Sequence, residues 1–214
     1  MEVLKKPAFN ISIIKWHKKF GRHDLPWQKS KDPYHVWVSE IMLQQTQVVT
    51  VISYYQKFIT KFKTIKALAE ASEDNVLSMW SGLGFYSRAR NLHAASIMIM
   101  KENSGHFPDN FQDMIRLPGI GRSTAGAILA FCFNKPYPIL DGNVKRVLSR
   151  VYGITTPINN SRTEKKLWLL SEKNLPKKNI DIDAWRFVKD QVMGGKSDGS
   201  MALKESANEN FGFT

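Results

Sequence analysis

The spacing of the apolar residues is the feature of this sequence that most restricts its fold. In "DPYHVWVSEIMLQQTQVVTVISYYQKFI", residues 32–59, apolar side chains recur at intervals of three, four and seven, as on one face of an α-helix. The stripe consists of Trp37, Ile41, Val48, Ile52 and Tyr55. We expect this stripe to face a core. The alternation typical of strands is not sustained anywhere, so the sequence predicts an all-α fold.

Further amphipathic segments indicate helices at 66–71, 73–80, 87–101 and 163–174. In "DGNVKRVLSRVYG", the valines and leucine fall on one face and the basic residues on the other, which predicts another helix. The segments "SGLGFYS" and "NSGHFPDN" are typical of loops. From about Gly194 the chain is rich in Gly, Ser and polar residues, and we expect this tail to be disordered or aberrant.

Composition indicates the class of partner. Lys and Arg number 31 against 19 acidic residues, a formal net charge of +12, which favours nucleic acid over an anionic membrane. No apolar run approaches the roughly 18 residues that span a bilayer, and no secretory signal is apparent. We therefore expect a soluble intracellular protein. The one cysteine, Cys132, excludes an intrachain disulfide and a multi-cysteine metal site within this chain; we expect it to be buried.

The stretch "LPGIGRSTAGAI", residues 117–128, predicts a tight turn that leads into a helix. Proline fixes one φ angle, and Gly119 and Gly121 permit conformations that a Cβ would forbid. A helix from about Ser123 would present backbone N–H groups and the positive end of its dipole to an anion. With the short helix indicated by "FQDMIRL", the stretch predicts a helix-hairpin-helix that holds a DNA phosphate. A plain connection between two helices is the alternative.

Two carboxylates are candidates for chemistry. Glu40, Gln44 and Gln47 are four and three residues apart and would share a helix face, where amides beside a half-buried carboxylate could read a base edge. Taken alone, Glu40 favours the interpretation of a solvated helix residue. Asp141 precedes a predicted helix, and taken alone it favours the interpretation of an N-cap.

Taken together, the motifs indicate a family. "LPWQ", "VWVSEIMLQQTQV", "WSGLGFYSRARNLH", "LPGIGRSTAGAILA" and "PILDGNVKRVLSRVYG" follow one another in this order. Over residues 10–175 the chain resembles the helix-hairpin-helix DNA glycosylases, and within them the MutY-type adenine DNA glycosylases. This resemblance implies two helical lobes with the active site in the cleft between them. The inserted lobe, with the hairpin, would be 28–135. The composite lobe, incomplete here, would be 1–27 plus 136–193, followed by the tail 194–214.

The resemblance also implies a reaction. Such enzymes flip adenine, mispaired with 8-oxoguanine or guanine, out of double-stranded DNA. Glu40 matches the general acid that protonates adenine at N7, a role that requires a pKa raised by partial burial. Asp141 matches the carboxylate that stabilises the cationic sugar. Ser123 stands where related lyases carry a lysine, which implies a monofunctional hydrolase. Lys145 matches a lysine near the site that reacts adventitiously with the abasic sugar.

The resemblance assigns several other residues to the site. Gln45 matches a residue inserted into the base stack, and Asn143 matches a neighbour of the catalytic aspartate. Phe85 replaces the family's usual tyrosine beside 8-oxoguanine, keeping the ring for stacking; packing beneath a loop is the alternative. Arg88 is expected to contact a phosphate or to be an exposed charge. The other positions expected to bind DNA are Gln44, Tyr86, Gly119, Gly121 and Arg122.

The chain departs from the family after "DAWRFVKDQV", where members continue into four cysteines that hold an iron–sulfur cluster. No cysteine follows Cys132, so we expect no cofactor for this chain; the change indicates a truncated or frame-shifted reading frame or a natural short variant. The expected protein is a monomer, cytoplasmic or nucleoid-associated, acting on DNA with A:8-oxoguanine or A:G mispairs. The alternatives are a catalytically compromised DNA-binding remnant and another helix-hairpin-helix glycosylase or lyase.

Overall fold

The computed structural model describes residues 19–175. Contacts along the backbone divide this stretch into two compact units: a central unit, 23–135, and a flanking unit formed by 19–22 and 136–175. The predicted tail 194–214 and the parts of the predicted composite lobe before 19 and after 175 lie outside the described residues.

The prediction of an all-α fold is confirmed for residues 19–175, where every regular element is a helix. The central unit contains a 3-10 helix, Pro26–Lys29, followed by α1 Pro33–Met42, α2 Val48–Lys61, α3 Ile65–Ala69, α4 Glu73–Trp80, α5 Tyr86–Asn103, α6 Phe111–Met114 and α7 Arg122–Phe133. The flanking unit contains α8 Gly142–Val151 and α9 Ser161–Lys173. None of these helices is long and apolar enough to cross a bilayer.

Aromatic side chains fill the core of the central unit. Trp27, Trp37, Phe58 and Trp80 are fully buried. Their rings meet edge to face, with centroids 5.4 Å apart for Trp27 and Tyr55 and 6.0 Å apart for Phe58 and Trp80, a geometry that aromatic pairs prefer. Helix α5 packs against α1, α3 and α4, and α1 packs against α7. The longest helix therefore supports the elements that carry the candidate site.

The predicted stripe from residue 37 to 55 is carried by two helices rather than one. Helix α1 ends at Met42 and α2 begins at Val48, and between them Gln45 has a φ of +56°. The buried members of the stripe are Trp37, Ile41, Val48 and Tyr55. Ile52 is half-buried. The apolar stripe stays on the core side on both sides of the interruption, because α1 and α2 pack into the same unit. The end of α1 is stabilised by Arg88, whose guanidinium donates hydrogen bonds to the carbonyls of Ile41 and Met42.

The helix starts fall into two groups. Six α-helices in the described residues have a side-chain cap, from Asp32, Thr64, Ser72, Asn110, Asp141 and Asn160. The other three, α2, α5 and α7, follow Gln47, Phe85 and Gly121, and none of these residues caps its helix with a side chain. All three uncapped starts belong to the central unit, at or near residues that the resemblance implies contact DNA.

The flanking unit has a small core between its two helices. Leu140, Val144, Leu148 and Leu167 are buried together. The Ser171 hydroxyl donates a 2.8 Å hydrogen bond to the carbonyl of Ile139, which fixes α9 against the segment that leads into α8. This packing determines the position of Asp141, the residue between that segment and the helix.

Candidate functional site

The segment between α6 and α7 forms the predicted hairpin. Gly119 has a φ of +75°, and a Cβ built on it would lie 2.8 Å from the Cβ of Asn91 on α5. Gly121 instead has a φ of −86° and a ψ of 175°, which any residue adopts. A Cβ on Gly121 would meet nothing within 4 Å. Of the two glycines expected to permit conformations that a Cβ would forbid, Gly119 alone adopts one, and at Gly121 the absent side chain leaves open space.

Helix α7 begins at Arg122, one residue before the predicted start. Arg122 is exposed and Ser123 is half-buried in the first turn. Gly121 supplies no side-chain cap, and the cation of Arg122 and the positive end of the helix dipole lie together at this helix start. This is the local arrangement that binds phosphate in other proteins.

Glu40 lies within α1 and is only 6% exposed. The alternative of a solvated helix residue is therefore wrong. The side chain of Gln44 donates a long hydrogen bond of 3.5 Å to the hydroxyl of Thr124 in α7. Gln44 and Gln47 do not share a helix face with Glu40, because α1 has already ended. Tertiary contact, rather than helical spacing, brings Gln44 to the hairpin helix.

Gln45, Phe85 and Tyr86 are exposed on the central unit. Phe85 is 59% exposed and has a φ of +53° immediately before α5, so the alternative that its ring packs beneath a loop is wrong. Gln45 also has a positive φ, of +56°. Both residues thus occupy the left-handed region, which L-residues seldom adopt. Ser104 and Asn134, which follow the ends of α5 and α7, also have a positive φ.

The expectation that Arg88 contacts phosphate or is an exposed charge is wrong. Arg88 is 8% exposed, and its guanidinium donates hydrogen bonds to the carbonyls of Ile41 and Met42 at 3.0 and 2.9 Å. The last carbonyls of a helix have no partner within it, and Arg88 supplies one for α1. Burial lowers the pKa of the Arg88 guanidinium from its ordinary value.

In the flanking unit, Asp141 caps α8. Its Oδ1 accepts hydrogen bonds from the backbone N–H groups of Asn143 and Val144 at 3.0 and 2.8 Å. The prediction that Asp141 is an N-cap is confirmed. Two N–H donors and the helix dipole both favour the ionised carboxylate, so the cap also suits a group that must remain negative. Asn143 is buried, and its Oδ1 accepts from the guanidinium of Arg146.

Lys145 has a partner that the sequence did not indicate. Its Nζ lies 2.7 Å from Oε1 of Glu164 on α9. The pair joins positions 19 residues apart, a separation at which no local pattern indicates contact. Asp141, Asn143 and Lys145 therefore cluster at the start of α8, in the flanking unit, while the other predicted site residues belong to the central unit.

Cys132 lies in α7 and is half-buried. It is therefore less buried than expected. Within residues 19–175, no three metal-ligating side chains come together.

Sequence comparison finds close similarity to DNA repair proteins. A family model described as HhH-GPD superfamily base excision DNA repair protein matches residues 38–173. An adenine DNA glycosylase of Buchnera aphidicola subsp. Acyrthosiphon pisum is 51% identical over 173 residues, 81% of this chain and 49% of that protein. A human adenine DNA glycosylase is 40% identical over 181 residues, 80% of this chain and 33% of that protein. The chain thus spans about half the length of the bacterial relative and a third of the length of the human one.

Solved structures with this fold also include DNA glycosylases. A thermostable thymine-DNA glycosylase superposes with a TM-score of 0.75 at 26% identity, covering 86% of this chain and 85% of the other. A non-covalent complex of Endonuclease III with DNA superposes with a TM-score of 0.68 at 22% identity, with the same coverage.

Proposed function

The chain belongs to the HhH-GPD superfamily of base excision DNA repair proteins, and we propose that it removes adenine mispaired with 8-oxoguanine or guanine from double-stranded DNA. The reaction is hydrolysis of the N-glycosidic bond. The choice of adenine is supported by the relatives, which are adenine DNA glycosylases at 51% and 40% identity. DNA as the substrate is supported by the net charge of +12.

The observation that carries this proposal is the burial of Glu40, a carboxyl group in α1, the helix that packs against the hairpin helix α7. An acid in that place can hold a proton and donate it to N7 of a flipped adenine. The glycosidic bond then breaks, and its electron pair leaves with the base as a neutral tautomer. A water adds to C1′ of the sugar and returns its proton to the Glu40 carboxylate, so that the catalyst is restored.

Asp141 takes the second role in this proposal. The carboxylate stabilises the positive charge that develops on the sugar as the bond breaks. The two N–H groups that it accepts from, at 3.0 and 2.8 Å, support the ionised state that this role requires. The two carboxyl groups would thus work in opposite protonation states, as in glycoside hydrolysis.

We propose that base removal is not coupled to strand cleavage. Ser123, in the first turn of α7, has no amine and cannot form the Schiff base through which lyases act. The amine of Lys145 is held at 2.7 Å from the Glu164 carboxylate. Slow trapping of an abasic sugar by Lys145 is compatible with the proposal, whereas trapping as fast as base release is not.

The hairpin is the proposed phosphate clamp. The open space at Gly121 lets a phosphate approach the backbone at the start of α7. Exposed Phe85 and Tyr86 offer rings on which bases stack.

No step of this reaction passes through an iron–sulfur cluster. The sequence contains one cysteine, whereas a cluster of this type is held by four thiolates. The residues of this chain do not fit that group.

The second candidate is a DNA-binding protein that holds DNA at the hairpin but does not release adenine. The helix start of α7 at Arg122 and the net charge of +12 support DNA binding without requiring catalysis.

A single-turnover assay decides between these functions. The substrate is a duplex with adenine opposite 8-oxoguanine, treated with alkali after the reaction to cleave abasic sites. We expect strand breaks with the natural chain and none above background with Glu40→Gln. Equal, background-level cleavage by both proteins, with DNA binding intact, would establish the non-catalytic function. Borohydride added during the reaction tests for a lyase.

A further inference from the structure

Arg88 connects two segments of the central unit that are far apart in sequence. Its Nη1 donates to the carbonyls of Ile41 and Met42 at 3.0 and 2.9 Å, and also to that of Gln44. Its Nη2 donates to the Thr46 hydroxyl at 3.2 Å and to the Gly84 carbonyl at 3.1 Å. One guanidinium thus holds both the loop 43–47 and the turn 82–85. Lysine, a point charge, cannot reproduce this planar set of donors.

Each of these segments presents one exposed residue other than glycine with a positive φ. The angle is +56° at Gln45 and +53° at Phe85. The left-handed region is unfavourable for L-residues and persists only where the surroundings enforce it. Arg88 is the group that both segments share, and its hydrogen bonds reach the neighbours of Gln45 and Phe85 on the chain.

Arg88 also contacts the ring of Phe85. Its Cζ lies 5.4 Å from the centroid of that ring and 5.5 Å from that of the buried Trp80. The guanidinium is therefore close to both a core ring and an exposed ring. Such cation–π contacts are stronger where the cation is desolvated, as buried Arg88 is.

We propose that Arg88 is a positioning residue that makes Gln45 and Phe85 act as one probe of the DNA base stack. An amide that can hydrogen-bond a base edge and a ring that can stack on a base would then enter a mispaired duplex together. This inference rests on the proposed binding of mispaired DNA, but not on catalysis. It assigns Arg88 to selection of the mispair, without contact between Arg88 and DNA.

Arg88→Lys tests the proposal, with Arg90→Lys as the matched control. Arg90 lies on the same helix but is exposed, and it pairs with Glu73 at 3.2 Å. In Arg88→Lys we expect amide hydrogen exchange to become faster in 43–47 and in 82–86 together, and to be unchanged in α7. We expect the preference for mispaired over matched duplex to fall on the order of tenfold. Arg90→Lys leaves both measurements unchanged.

A double-mutant cycle measures the coupling between Gln45 and Phe85 in binding mispaired DNA, a quantity that general destabilisation of the protein does not change. Residues without shared partners give additive effects. We expect the effects of Gln45→Ala and Phe85→Ala on mispair affinity to be non-additive in the natural chain and additive in the Arg88→Lys background. If Arg88→Lys does not fold, Thr46→Val, which removes one acceptor of Nη2, replaces it with a smaller effect in the same direction.

The outcomes separate this proposal from the proposed activity. Loss of base release alone would overturn the activity and leave the coupling measurement intact, because that measurement needs only binding. Additive effects in the natural chain, unchanged exchange in the two segments, or no preference for mispaired DNA would each overturn the positioning role of Arg88.

Discussion

Gly119 packs so closely on Asn91 that a Cβ on the glycine would lie 2.8 Å from the Cβ of the asparagine. Asn91 lies on α5, three residues after Arg88 and six after Phe85. One helix therefore supports the hairpin turn, holds the end of α1 and begins directly after the exposed Phe85. The candidate DNA-binding elements of the central unit are all fixed to it.

Gly119→Ala should destabilise the protein by about 2 kcal/mol or more, because the left-handed conformation costs an L-residue roughly 1–2 kcal/mol and the contact with Asn91 adds strain. The free energy of unfolding in urea is the measurement. Gly84→Ala is the control, since Gly84 has a φ of +77° but nothing within 4 Å of its Cβ position; it should lose only the conformational part. Equal losses for the two variants would show that Asn91 moves aside freely.

Gly121→Ala should weaken DNA binding without changing stability. Its φ of −86° suits alanine, and the new methyl group has open space within the protein, so the free energy of unfolding should stay within about 0.5 kcal/mol. The methyl would stand where we propose that a phosphate approaches. Affinity for duplex DNA is measured at two salt concentrations, since phosphate contacts determine the salt dependence. Undiminished affinity would contradict the assignment of the clamp.

Asp141→Asn and Asp141→Ala separate the capping role of the residue from its proposed catalytic role. Asparagine caps a helix about as well as aspartate, whereas alanine costs about 1 kcal/mol. We therefore expect Asp141→Asn to unfold like the natural chain and Asp141→Ala to unfold more easily. Both should release adenine at least about 100-fold more slowly, since both lack the charge. Full activity in Asp141→Asn would show that Asp141 caps the helix but has no catalytic role.

Tyr34→Phe should change the dependence of stability on alkaline pH. The Tyr34 hydroxyl donates a 2.6 Å hydrogen bond to the carbonyl of Phe62, and burial, followed by the charges of Tyr55 and Asp32, raises the pKa of Tyr34. Above a pH of about 10 the unfolded tyrosine loses its proton while the folded one retains it, so this contribution to stability is present below that pH and falls as the pH rises.

At neutral pH, Tyr34→Phe should therefore cost about 1 kcal/mol, the usual net value of such a hydrogen bond. The difference from the natural chain should shrink as the pH rises above about 10. The measurement is denaturant unfolding of both proteins from pH 8 to 11. A difference in the free energy of unfolding that stays constant from pH 8 to 11 would contradict a raised pKa of Tyr34 in the folded protein.

The apolar spacing was sufficient to predict the helical class, and local residue types were sufficient to predict where several helices begin. Helix α4 occupies 73–80 as predicted, because Ser72 caps it and its apolar residues repeat with the helical period. Asp141 was identified as an N-cap because capping depends on residues two and three positions away. These features depend on interactions within one or two helical turns, which the sequence displays directly.

The tertiary structure alone decided the break between α1 and α2 and the burial of Arg88. Arg88 lies more than 40 residues from the carbonyls of Ile41 and Met42, and nothing in "SGLGFYSRARN" distinguishes it from its exposed neighbour Arg90. The sequence determined which helices form and which residue types carry the candidate chemistry. Their final roles depended on packing, since a charged side chain becomes structural only where folding removes it from water and supplies buried acceptors.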